Sequence, residues 1–509
     1  MEKKKTALKR ISLLIISLCL TGIAHATTIN LPVSIWKNCR NGVDSLNALV
    51  EFHKTYIFKD VTIVYPARKT IHITITPGAP TIWLSHRTDF NGCTLMVRNN
   101  SKDHLLFALA WPDATAKDTP VGPKAIDSGD FSQNPSLSKG NKMVVVEDKT
   151  PWVSQRQGYG TSAIRRDIMI IRDGKAQGTV TAPYQTPSTS ILSKAMNISE
   201  SEKSFQNLTL KRASGSTRVT NLLAVSLENN VIIKNINIIT PDNHKNKPKE
   251  GDRAISIANS AQVLLSDITI QGTYSDYNKV GYGIALENIR DCTIRRLKAV
   301  AHWGVFGNNN INNITLEDCD INRFDIHCYG RNITFRNCTF RNTLNDINTY
   351  NQFSSVFGTI LFENCRFLHF YPVLHESSYN AYTDYDLAMR NCYMELDRNH
   401  DSIIRAGKLE NATNSRPELQ EKCWPNITID GLTLKTNGIT DFYLFKPMGD
   451  NSYSKKLEHL SDISISNVTL IPSDATLQFH ESPYKVCTKQ HLKRTYSLPS
   501  NIRLLKRIK

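Results

Sequence analysis

Beyond residue 26, this 509-residue chain has no apolar run long enough to cross a bilayer as a helix. It has no glycine-rich phosphate loop, no cysteine pair at zinc-ribbon spacing, and no Gly-x-Ser-x-Gly elbow between a strand and a helix. These absences argue against nucleotide-driven, zinc-ribbon and serine-hydrolase chemistry. Acidic residues are scarce: 46 Asp and Glu stand against 62 Lys and Arg, a formal charge of +16. Aromatic residues make up 8% and charged residues 21%, an ordinary folded composition and not a disordered one.

The N-terminus has the three parts of a secretory leader. Met1 to Arg10 is basic, Ile11 to Ile23 is apolar, and Ala24-His25-Ala26 is a small-x-small cleavage site. The expectation is a leader over 1–26, a mature start at Thr27, and a periplasmic or extracellular protein without a membrane span. Leu18 precedes Cys19 where a lipoprotein needs a small residue, so no lipid anchor is expected. A basic exported chain calls for an anionic partner. Outside the cytosol that means an acidic glycan or an anionic membrane surface rather than nucleic acid. Charge that serves solubility alone is the competing explanation.

One short unit recurs: apolar, x, apolar, x, Asn or Asp, apolar, x, apolar. It starts at Val231, Val263, Cys292, Ile314, Ile333, Ile360, Leu387, Ile427 and Ile463. Starts are separated by 32, 29, 22, 19, 27, 27, 40 and 36 residues. Alternation of period two predicts strands. Irregular repetition of one strand unit predicts a solenoid, with loops of unequal length leaving the coils. The central Asn or Asp suits a tight bend, because it tolerates the left-handed conformation. Stacked coils would align these side chains in a ladder. The ladder also explains Asn313-Ile314-Thr315 and Asn332-Ile333-Thr334 better than glycosylation does.

Eleven cysteines in an exported chain suggest disulfides, but their positions argue otherwise. Cys319, Cys338, Cys365 and Cys392 occupy one repeat position in consecutive units. They are expected to point inward as small apolar groups, in parallel and unbridged.

Around the solenoid the chain divides as follows. Residues 27–116 read as an N-terminal cap and first coils, with a helix around Asp44–Phe52 capped by Asp or Ser, and strands at Val61–Pro66 and Thr70–Ile75. That helix could plug the open end of the solenoid. Residues 117–203 lose the repeat, are rich in Pro, Gly and Ser, and hold one apolar strand near Ile168–Ile171. They are expected to be a lateral insertion of loops and strand. Residues 204–475 are the solenoid, and 476–509 are a basic tail or a capping segment. The fold class is therefore all-β.

The mature chain resembles the right-handed parallel β-helix superfamily, which includes pectate-lyase-like and polygalacturonase-like enzymes and phage tailspikes. A local stretch is more specific: His302-Trp303-Gly304-Val305-Phe306-Gly307-Asn308, then Arg323-Phe324-Asp325-Ile326-His327. It is similar to a Trp-Gly-apolar strand followed by Arg-Phe-Asp-x-His in uncharacterised bacterial and phage β-helix proteins. In those a Gly-His segment follows; here Thr343 to Asn348 stands in its place. The resemblance therefore implies a site location, not a reaction.

Aligning the strand before each ladder unit gives Gly283-Ile284-Ala285, Gly304-Val305-Phe306, Asp325-Ile326-His327, Asp346-Ile347-Asn348, Val373-Leu374-His375 and Ile403-Ile404-Arg405. With the middle residue inward, Phe306, His327, Asn348, His375 and Arg405 would form one outward column, and Asp325 and Asp346 another. Carboxylates one coil apart suit a retaining glycosidase, a calcium site, or a lyase with a His base and an Arg clamp. The catalytic candidates are Asp325, His327, Asp346 and His375. Candidates for substrate binding are Arg323, His302, Trp303, Tyr329, Asn348 and Arg405. Calcium is the only cofactor considered, and zinc at His369, His375 and Glu376 is not expected. A solvated sheet face with Arg323 paired to Asp325 is the plainer alternative. The expected function is polysaccharide lyase or hydrolase; a non-catalytic glycan-binding or export protein is the other reading.

Overall fold

The computed structural model describes residues 27–505 apart from 102–103, 111–115, 149–164, 182–183, 185–190, 199–200, 214–215, 217–219, 240–253, 272–281, 300–303, 342–349, 355, 376–383, 407–424, 448–461 and 482–492. The alternating units lie down as parallel strands stacked coil upon coil. On one sheet Val231, Val263, Cys292, Ile314, Ile333, Ile360, Leu387, Ile427 and Ile463 are successive register partners. A second sheet aligns Ile321, Phe340, Phe367, Met394, Leu434 and Leu470. A third aligns Leu223, Ile255, Ile284, Phe306 and Phe324, and continues through Val373, Ile404 and Phe445. These residues are buried in one continuous core. The chain is the parallel β-helix expected from the repeat, in the right-handed sense that strand–crossover–strand connections take.

The bend between the first two sheets is where the ladder forms. Asn235, Asp267, Asp318, Asn337, Asn364, Asn391 and Asn467 all have φ between 51° and 57°. Arg296, at the same position, is at 50°. Gly431 takes its turn at 84°, and a Cβ there would come within 2.7 Å of Asn391 Oδ1. The amides link across coils: Asn337 Nδ2 donates to Asp318 Oδ1 at 3.1 Å and Asn364 Nδ2 to Asn337 Oδ1 at 3.2 Å. Local polar side chains thus make a left-handed bend tolerable and bind one coil to the next.

Cys319, Cys338, Cys365 and Cys392 are buried and unbridged. Their thiols point at carbonyls of the preceding coils, for example Cys338 Sγ to Leu316 O at 3.5 Å and Cys392 Sγ to Phe362 O at 3.5 Å. Burial pushes the Cys392 thiol up to about 11.

The helix near the N-terminus runs Gly42–Lys54, and its cap is Asn41, not Asp44 or Ser45. Asn41 accepts from the backbone of Val43 and Asp44, and Leu46 and Leu49 enter the core. A Cβ at Gly42 would meet Thr74 N at 2.7 Å, so the helix starts hard against strand Thr70–Ile75.

Residues 117–197 hold more order than their sequence suggested. Strands Lys117–Asp118, Asn141–Asp148, Arg165–Arg172, Lys175–Gln177 and Ile191–Asn197 form a separate antiparallel sheet. Met143, Ile168, Ile170 and Met196 pack with Ala261 of the solenoid. Arg290 donates to Ile168 O at 3.1 Å and Thr179 O at 3.0 Å, and Asn312 donates to Thr179 O at 2.6 Å. At the other end, Arg494–Tyr496 and Ile502–Leu505 pair in parallel with Ile463–Ile471 and Leu477–His480. This part of 476–509 is a further coil, not a tail. The tail reading rested on charge, whereas Leu498, Ile502 and Leu504 of this stretch pack on the core.

Candidate functional site

Strand Phe324–Arg336 has one residue too many. Asn308 pairs with Ile326, but Asn309 pairs with Cys328, so His327 is left over as a bulge. The same surplus recurs on the other side, where Ile326 pairs with Phe353 and Gly330 with Val356. Bulges re-aim side chains and gather beside functional sites. His327 is half-buried, and Tyr329 follows with φ at 54°.

Just before the bulge, Arg323 and Asp325 flank the inward Phe324. Both leave the core side, yet they are only 5% and 0% exposed. Arg323 Nε donates to Asp325 Oδ1 at 2.7 Å and lies 2.6 Å from Oδ2. Gln352 N donates to the same carboxylate at 3.3 Å, and Arg323 Nη2 donates to Gln352 Oε1 at 3.3 Å. The Arg323 guanidinium lies 4.5 Å from the Tyr350 ring centroid. A carboxylate so held orders its neighbours. To act as acid or nucleophile it would have to give up the arginine.

Several expectations are corrected here. The register partner of Asp325 in the next coil is Gln352, not Asp346. The calcium and retaining-glycosidase readings rested on Asp346 as that partner, and Asp346 lies outside the described residues. Phe306 pairs with Ile284 and faces the core, so the outward column does not contain it. Arg323 and Tyr329 are buried rather than open to a sugar. His302, Trp303, Asp346, Asn348 and Glu376 lie outside the described residues, and so does the side chain of His375. Among the described residues no group of three or more His, Cys, Asp or Glu could hold a metal ion, and no helix is long and apolar enough to cross a membrane.

Arg405 does reach the outer face. The true column runs Asp325, Gln352, Leu374, Arg405, Lys446. Arg405 thus sits three coils from Asp325, about 14 Å along the axis. Its guanidinium lies 4.8 Å from the Tyr371 ring centroid, and Nη1 donates to the Tyr371 hydroxyl. Its Nε is buried without a hydrogen-bond partner. Tyr371 stands in register with Tyr350. One coil on, Lys446 pairs with Asp401 and lies 5.0 Å from the Tyr443 ring. Tyr443 stacks on His480 at 4.6 Å, and His480 Nε2 lies 2.7 Å from Asp441 Oδ1. Cations therefore pack against tyrosine rings in three places along this sheet, Arg323 on Tyr350, Arg405 on Tyr371 and Lys446 on Tyr443.

A cluster of which the sequence pointed only to His369 adjoins this strip. Asp397 accepts from His400 Nδ1 at 3.0 Å and contacts His369 Nδ1 at 2.8 Å. His369 Nε2 faces Glu395 at 3.6 Å, and Glu395 is held by Tyr393 and Lys435. The His400 ring lies 4.7 Å from that of Tyr371. Burial pushes His400 down, against the pull of Asp397. Burial also works to raise Asp397, but the hydrogen bonds and charge of His400 outweigh it and hold the carboxyl below its ordinary range. Lys446 was findable: Leu444-Phe445-Lys446 repeats the pattern of Ile403-Ile404-Arg405. Asp397 and His400 sit in a turn with no repeat to flag them.

No family model and no curated protein matches the chain. Among solved structures it is similar to the tailspike gp61 of Pseudomonas phage phi297, at 11% identity over 87% of this chain and 74% of that one, with a TM-score of 0.49. It is similar to the gp54 tailspike of Acinetobacter baumannii bacteriophage AP22, solved with a capsular saccharide, at 10% identity over 94% and 79%, TM-score 0.46. The endo-xylogalacturonan hydrolase of Aspergillus tubingensis matches at 10% identity over 87% and 96%, TM-score 0.34. At these values no residue of the strip is aligned with a residue of known role.

Proposed function

We propose that this chain is an exported protein that binds an acidic polysaccharide along the outer face that carries Tyr350, Arg405, Tyr443 and Lys446. The observation that carries the reading is Arg405. It is a half-buried guanidinium laid on a tyrosine ring, with, among the described residues, no carboxylate in ion-pair contact. Such a group suits a planar carboxylate. Lys446, one coil away, offers a second cation, and Tyr350 and Tyr443 are part-exposed rings of the kind that pack on sugar faces. Without the five Lys and Arg and the one Glu of residues 1–26 the chain keeps a formal charge of +12, which would draw a polyanion to the surface. Export to the periplasm or beyond rests on the leader pattern of residues 1–26.

A cleaving enzyme, lyase or hydrolase, is the second reading. His327 favours it, as a half-buried imidazole re-aimed by a bulge beside Asp325.

The test uses the mature protein with polygalacturonate, alginate and hyaluronan, beside carboxyl-reduced forms of each. Binding to an acidic polymer that falls about tenfold or more in Arg405→Gln, and on carboxyl reduction, supports the reading. Equal binding to the reduced polymer, or none at all, overturns it. New unsaturated ends lost in His327→Gln would mean a lyase, and new reducing ends alone a hydrolase.

A further inference from the structure

Resting on that binding reading, we infer that Asp397 and His400 are positioning residues for Arg405, acting through Tyr371, and that seating an acidic sugar on Arg405 draws a proton onto this pair. The contacts run without a gap. Asp397 is fixed by the backbone N–H groups of Asn399 at 2.7 Å and His400 at 2.8 Å. It accepts from His400 Nδ1 with both oxygens at 3.0 Å. The His400 ring, 3% exposed, lies 4.7 Å from that of Tyr371 at an angle of 46°. Tyr371 is also buried, so its ring has little freedom to turn. Its hydroxyl takes the hydrogen bond of Arg405 Nη1, and its face carries the guanidinium. The direction in which Arg405 presents its guanidinium is therefore set by a ring held from behind by His400.

The same geometry couples binding to protons. Among the described residues, the charged and titratable groups around His400 include Asp397 and Asp401 on its own turn, His369 and Tyr371 on one side, and Arg405 on the other. Lys446 neutralises Asp401, and Glu395 backs His369. Burial disfavours the charged His400 most; the positive charges of His369 and Arg405 disfavour it further, while Asp397 favours it. A sugar carboxylate on Arg405 cancels one of the opposing charges. His400 then takes a proton more readily, and by linkage affinity rises as pH falls. The rise belongs below the ordinary histidine value of about 6.5, and ends where the sugar carboxyls themselves protonate, about 3.5.

Calorimetric titration at about pH 6, in two buffers of different ionisation enthalpy, reads the proton directly. The probe is whichever of polygalacturonate, alginate and hyaluronan binds. Wild type is expected to take up a fraction of a proton per bound site, and to bind roughly three- to tenfold tighter at about pH 5.5 than at about pH 7.5. His400→Gln should lose both, whereas the exposed His369→Gln should keep uptake. If His400→Gln fails to fold, Asp397→Asn serves: without its carboxylate the window moves to lower pH and uptake at about pH 6 shrinks. Binding without uptake in wild type, or uptake unchanged in a folded His400→Gln, overturns this inference and leaves the binding reading standing. No binding to any of the polymers overturns both.

Discussion

Asp325 stands opposite Gln352, and Arg323 closes on its carboxylate at 2.6 Å. The pair is buried, so removing one partner strands the other away from water. Asp325→Asn is expected to destabilise the protein by about 3–5 kcal/mol, seen as a lower denaturation midpoint. Arg323→Met combined with Asp325→Asn should cost less than the sum of the single changes. Additive losses would mean that the two groups do not depend on each other.

The ladder makes a different kind of prediction. Asn337 sits at φ 53°, accepts from Asn364 and donates to Asp318. Asn337→Ala should cost about 2–3 kcal/mol, from left-handed strain plus two lost hydrogen bonds. Asn337→Gly keeps the bend and loses only the bonds, so it should cost less. Equal losses in thermal melts would show that conformation is not what the asparagine contributes.

The ladder was legible because each unit carries its own local signal: two inward residues, a residue that tolerates the bend, and two more. Even Arg296 obeys it, although its type gives no hint. The sheet that bears the strip was less legible because residue types there mislead. Matching similar triplets set Asp346 opposite Asp325, a step of 21, whereas the ladder unit that follows advances by 27, from Ile333 to Ile360. That step of 27 leads from Asp325 to Gln352, the partner observed. The bulge at His327 was invisible, because one extra residue leaves no mark on composition. Asp397 and His400 act through contacts across coils, which no spacing along the chain reports.

Four stacked thiols should stay reduced without protection. Cys319, Cys338, Cys365 and Cys392 are buried, and Cys392 is held up near 11, so thiolate is scarce at neutral pH. Iodoacetamide applied to the native protein should leave the peptides carrying these four unlabelled, and full labelling should follow denaturation. Rapid native labelling, or a mass consistent with a disulfide between any two, would contradict the packing.

Acid should loosen the N-terminal helix through His53. Its ring is fully buried, with Nε2 2.9 Å from the Tyr65 hydroxyl, and burial pushes it down to about 3. The unfolded chain accepts a proton on this histidine near pH 6.5, and the folded chain refuses it until about 3. Stability is therefore flat above about 6.5 and falls by up to about 1.4 kcal/mol per pH unit between those two values. His53→Leu gives up the Tyr65 contact at neutral pH, about 1 kcal/mol, but removes one titrating group. Urea midpoints taken between about pH 7 and 4.5 should fall less steeply in the variant than in wild type, by close to one proton. His86, His104 and His400 are also pushed down by burial, so the variant retains some slope. Parallel slopes in the two proteins would mean that His53 does not resist protonation in the folded state.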